Sequence, residues 1–226
     1  EQSLRDGVAF RAERDLSAME LYLRAVHARL MLERGDWDRA TREAEFVASS
    51  KSSNTHSRIV ALTVLGHLGT RRGDDAPALL DEALVLASST DHLMRLGPVR
   101  IARAEAAWLA GDAERVRSEA SSLHAAALES GERWLVGRLS LWLHRAGVPI
   151  DDVSTFPAPF ALEISGQGRA AAAGWQERRY PLDAARALAS TGEEAALREA
   201  LAICESLGAK PDAARIVRAL RASGAT

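Results

Sequence analysis

With 226 residues, 47% of them apolar and only 5% aromatic, the chain can bury a substantial core, drawn mainly from alanine and leucine. A formal charge of −2 excludes a protein built mainly to coat nucleic acid or an anionic membrane. One cysteine, Cys204, excludes an internal disulfide and cannot by itself make a zinc site.

No apolar run approaches the roughly 20 residues of a membrane span and no secretory pattern opens the chain, so a cytoplasmic protein with no membrane partner is expected. Alanine, leucine, arginine and glutamate dominate, and β-branched and aromatic residues never alternate with period two, which predicts helices and no strand. Lys51 and Lys210 are the only lysines, a coding bias typical of GC-rich bacterial genomes. A start at Glu1, not Met, is compatible with a piece of a longer protein.

The first helical segment is "SAMELYLRAVHARLMLER" (17–34), followed by "GDWDRA" at 35–40 and a second helix. "SRIVALTVLGHLGTRR" leads to "GDDAPA" at 73–78, and "GPVRIARAEAAWLA" to "GDAERV" at 111–116. The glycines Gly35, Gly73 and Gly111 are spaced by 38 residues, and Gly147 in "RAGVPIDD" follows 36 later. Such self-similarity predicts stacked helix pairs, because neither helix of a pair can bury its apolar stripe alone. Each glycine supplies the left-handed residue that ends one helix, the following aspartate caps the next, and Pro77 sits early in its helix. A phosphate loop would need a strand before the glycines and a lysine behind them, and neither is present.

Beyond Pro149 the spacing loosens. "PIDDVSTFPAP" reads as a polar link, "FALEISGQGRAAAAGWQERRYPLDAARALAS" as three short helices broken at Gly166–Gly168 and Tyr180–Pro181. "GEEAALREALAICESLG" and "KPDAARIVRALRAS" are the last two helices. The expected architecture is all-α: about a dozen helices in antiparallel pairs forming a right-handed α-α superhelix. It is regular over 1–148 and less regular over 149–226 within the same superhelix.

At "LTVLGHLGTRRGDDAPALLDEAL" the pattern resembles a tetratricopeptide repeat, with Leu65-Gly66 ahead of the turn and Ala40 at the close-crossing position of the preceding unit. The period of 38 departs from that family's 34. Over most of the chain, "ARAEAAWLAGD", "AAAAGWQERRYPLDAARALAS" and "LREALAICESLGAKPDAARIVRALRASG" together resemble the helical-repeat region of large ATP-binding LuxR-type bacterial transcriptional regulators. The resemblance implies a non-enzymatic sensing region that couples an ATP-binding module to a DNA-binding domain. Neither is in this chain, which has no G-x-x-x-x-G-K-[ST] motif and no basic recognition helix. A free-standing scaffold that docks a partner protein is the second expectation.

In tetratricopeptide-like stacks the first helix of each pair lines the concave groove. Counting 13, 10, 6 and 3 residues back from each turn glycine selects Tyr22, Ala25, Arg29, Leu32; Val60, Thr63, His67, Thr70; Pro98, Ile101, Glu105, Trp108; and Trp134, Gly137, Leu141, His144. Tyr22, Arg29, His67, Glu105, Trp108, Trp134 and His144 are the candidate ligand-binding residues, suited to a peptide, a protein or a small polar ligand. The six histidines show no metal-ligand spacing, and neither catalytic residues nor a cofactor are expected. Glu43, Glu45, Glu193 and Glu194 read as solvated carboxylates, and His27 and His124 as packing or surface residues. Cys204 reads as a buried thiol, and Arg215, Arg218 and Arg221 as a solvated basic stripe without direct nucleic-acid contact. Trp108, Trp134, Trp142 and Trp175 read as gap fillers between helix pairs. Self-association is left open.

Overall fold

A computed structural model describes residues 2–74 and 77–224, with side chains from residue 18 onward. Among the described residues there are twelve helices and no strand: α1 (Gln2–Glu33), α2 (Trp37–Ser49), α3 (Thr55–Arg72), α4 (Pro77–Ser88), α5 (Leu93–Ala110), α6 (Ala113–Ser130), α7 (Arg133–Arg145), α8 (Ala158–Ile164), α9 (Gly168–Glu177), α10 (Pro181–Ala189), α11 (Glu194–Leu207) and α12 (Lys210–Ala222).

The three Gly-Asp corners are built alike. Gly35, Gly73 and Gly111 have φ of 81°, 82° and 80°, a region that costs residues with a Cβ about 1–2 kcal/mol. Past each glycine, the aspartate N–H donates back to a carbonyl of the closing helix: Asp36 to Met31 (3.0 Å), Asp74 to Gly69 (2.9 Å) and Asp112 to Ala107 (2.9 Å). The carboxylates of Asp36 and Asp112 then accept from Arg39 N and Arg115 N, capping α2 and α6. At the second corner the aspartate expected to cap is Asp74; α4 opens at Pro77, and the positions between, 75–76, lie outside the described residues.

Inner helices α1, α3, α5 and α7 lie side by side, and α2, α4 and α6 cover their backs. Small residues set the crossing distance: a Cβ at Gly66 would stand 2.7 Å from Leu80 Cγ. Ala40 is fully buried. One hydrophobic cluster runs from Leu21 in α1 to Ile216 in α12.

The array does not stay open. Pro181 and Leu207 pack on the Gly35 corner, Pro211 packs on the Gly73 corner, and α12 lies against α3. The C-terminal helices therefore return to the inner face of the first repeats, a closure that the repeat pattern does not signal.

Two element boundaries differ from the sequence reading. Helix α1 runs back to Gln2, well before Ser17. Helix α5 opens at Leu93 under the cap of His92, leaving Pro98 inside the helix instead of at its start. The link expected at "PIDDVSTFPAP" is present: 148–157 is irregular, anchored by the buried ring of Phe156. No helix among the described residues is long and apolar enough to cross a membrane.

Candidate functional site

The inner face carries a cavity of about 950 Å³ walled by α1, α3, α5 and α7, with Tyr180 closing one side. Rows 13 and 10 residues before the corners form its apolar belt: Tyr22, Val60, Thr63, Pro98, Ile101 and Trp134. Rows nearer the corners form its floor, with Arg29, Glu33, His67 and Arg138. At the opposite end, Asn54, His56, His92 and Arg95 mark the starts of α3 and α5. The wall reaches solvent there and along the belt, where Trp134 is 47% and Tyr22 41% exposed.

Of the seven candidate residues, Tyr22, Arg29, His67 and Trp134 line this cavity. Glu105 and Trp108 do not, because α10 and α12 cover the rows closest to the corners. Glu105 is 1% exposed, and Trp108 lies under Arg215, whose guanidinium sits 3.9 Å from its ring centroid. His144 is exposed and stands apart from the cavity. Arg215 thus departs from the expected solvated stripe: it is half-buried and donates to the Trp108 carbonyl at 3.3 Å, while Arg218 and Arg221 are exposed. Glu43 is also less exposed than read, since it accepts from Arg24 at 3.1 Å. Cys204 is fully buried, and that burial pushes its thiol up to about 12.

Trp142 and Trp175 are fully buried between helices, and Trp142 meets Trp108 edge-to-face at 5.7 Å. Trp134 instead presents part of its ring to the cavity, braced edge-to-face by Phe160 at 5.2 Å.

Beneath the cavity lies a network of buried charges. His67 Nε2 donates to Glu105 Oε2 at 2.6 Å, and Arg71 Nε donates to Oε1 at 2.9 Å. His67 and Arg71 are one helical turn apart on α3, so both side chains reach the same partner on α5. From α10, Arg186 donates to Glu105 at 2.8 Å and grips both oxygens of Asp212 on α12 at 2.7 and 2.9 Å. Nearby, Arg138 on α7 makes a two-pronged pair with Asp183 on α10. Arg71 also stands 3.6 Å from Glu33.

Burying an ion costs several kcal/mol unless its partners are well placed. Burial pushes Glu105 towards its neutral acid, but Arg186, Arg71 and His67 outweigh it and hold its pKa well below the usual carboxylate range. Asp183 is likewise pushed up by burial and brought net below its ordinary value by Arg138. A carboxylate so held is a weak proton acceptor. What the network does is bind three inner-face elements, α3, α5 and α7, to the returning helices α10 and α12.

Sequence reasoning placed His67 and Glu105 in the same row of adjacent repeats but did not pair them. Arg71, Arg138, Asp183, Arg186 and Asp212 were not singled out. Equal register offered a usable signal for the first pair, since residues 38 apart stack side by side; no local pattern pointed to Arg186 or Asp212. Among the described residues no group of three or more His, Cys, Asp or Glu converges as metal ligands. Compared with known proteins, the chain matches no family model, no curated protein and no solved structure.

Proposed function

We propose that this chain is the sensing region of a LuxR-type bacterial transcriptional regulator, acting in the cytoplasm without catalysis of its own. A ligand in the inner-face cavity would bias how α10–α12 sit, and through them the coupling between an upstream ATP-binding module and a downstream DNA-binding domain. The observation that carries this reading is shared ownership of one charge network. Residues lining the cavity, His67 and Arg138, bind the same partners that hold α10 and α12: Glu105 with Arg186, and Asp183. An occupant that shifts His67 or Arg138 has a different affinity for the seated and unseated arrangements, which is the requirement for coupling.

Typical couplings of 1–3 kcal/mol correspond to roughly 5–150-fold in affinity. The test is DNA affinity of the full-length gene product carrying Arg186→Met, which loosens the seat, or Ile101→Trp, which fills the cavity. A change of at least fivefold for either supports the proposal. An open reading frame without the two flanking modules, or DNA affinity indifferent to both substitutions, overturns it.

A further inference from the structure

The charges around the cavity are unevenly distributed. Arg29, Glu33 and Arg138 at the floor, taken with the network beneath it, give four arginines (Arg29, Arg71, Arg138, Arg186) against four carboxylates (Glu33, Glu105, Asp183, Asp212). At the other end the lining contributes Arg95, His56 and His92, and no carboxylate pairs with Arg95 among the described residues. His56 feels this surplus: burial, then the charges of Arg95 and His92, pull its pKa below the ordinary value, with no acid offsetting them. Between the two poles the wall is apolar, formed by Tyr22, Val60, Ile101 and Trp134.

Size narrows the occupant. Along α5 the wall runs from His92 to Ile101, about 14 Å at 1.5 Å per residue. The cavity holds about 950 Å³, near the top of the ~300–1,000 Å³ range of small-molecule sites.

We infer that the cavity takes a small amphipathic organic anion, its acidic head against Arg95, His56 and His92 and its acyl or aromatic body along Tyr22, Val60, Ile101 and Trp134. This deepens the sensing reading and rests on its choice of cavity. The body covers the half-exposed faces of Tyr22 and Trp134, while the head supplies a counter-charge to Arg95, which has none among the described residues. A cationic amphiphile of equal length would bury the same apolar surface but meet the like charge of Arg95.

The test is isothermal titration of the chain with dodecanoate and with dodecyltrimethylammonium, both below their micelle concentrations, with circular dichroism confirming a folded protein. The expected result is one dodecanoate per chain, bound at least tenfold tighter than the cation, with Arg95→Gln removing most of that preference. Trp134→Ala weakens both probes. Equal affinity for the two probes, no binding of dodecanoate, or an unaltered preference in Arg95→Gln overturns the inference. A DNA-affinity response to Arg186→Met uses no amphiphile, so the sensing reading stands or falls separately from this ligand class.

Discussion

Replacing Arg186 by methionine removes a charge that is almost wholly buried while keeping much of the side chain's bulk. Asp212, 2% exposed, would lose both of its described hydrogen bonds to a cation, whereas Glu105 keeps Arg71 and His67. Breaking a buried pair from one side costs about 3–5 kcal/mol. The position of Asp212 in the first turn of α12 returns up to about 1 kcal/mol through the helix dipole. Loss of the guanidinium from beside Trp108 and Trp142, 5.4 and 5.8 Å from their ring centroids, subtracts about 0.5–1 kcal/mol. The net expectation is about 3 kcal/mol of destabilisation, or roughly 6–12 °C in Tm for a chain of this size. Urea unfolding followed by circular dichroism and tryptophan fluorescence measures it. Removing Asp212 as well relieves the stranded charge, so Arg186→Met with Asp212→Ala should be more stable than Arg186→Met alone, with a coupling of about 2 kcal/mol or more. Purely additive losses, or a single variant within about 1 kcal/mol of the parent, would refute the view that these two charges hold the closure.

The acid response has a defined direction. Glu105 and Asp183 both titrate below their ordinary values in the fold, so below about pH 4.3 the unfolded chain binds more protons than the native one, and stability falls with pH. Urea midpoints should decline steadily from pH 5 to pH 3; a flat or rising profile counts against the network. Glycine substitutions should separate crowding from conformation. A Cβ at Gly168 runs into the Ala187 carbonyl oxygen and lies 2.7 Å from Thr191 Cγ2, contacts that no rotamer change relieves completely, so Gly168→Ala should cost at least about 2 kcal/mol. At Gly111 nothing lies within 4 Å and only the φ of +80° opposes alanine, which limits that loss to about 1–2 kcal/mol. Equal losses at the two positions, measured by thermal unfolding, would contradict the assignment.

What was readable from sequence was what is local or periodic. The corners at Gly35, Gly73 and Gly111 announce themselves because a positive φ and an N-cap each demand particular residue types within two positions. The inner face followed from helical period alone, and counting back from those corners and from Gly147 reached Tyr22, Arg29, Val60, His67, Ile101 and Trp134, all on the cavity wall. Trp108 and Glu105 obeyed the same count yet ended up under α10 and α12. The residues that cover them, Arg186, Asp212 and Arg215, are brought there by closure across 81 or more positions. Arg215 looked like one member of an evenly spaced basic stripe with Arg218 and Arg221. Spacing says which residues share a helix face, but not which of them meets a tryptophan from another repeat.

Closure also sets an order of events during synthesis. Glu105 and Arg186 are 81 residues apart, which at 5–20 residues per second is roughly 4–16 s of translation. For that interval the carboxylate already has His67 and Arg71 beside it, both made earlier, while the pocket above it has no lid of C-terminal helices. The first repeats are therefore free to stack, and to meet a small molecule, before the last helices exist to compete for the same inner face.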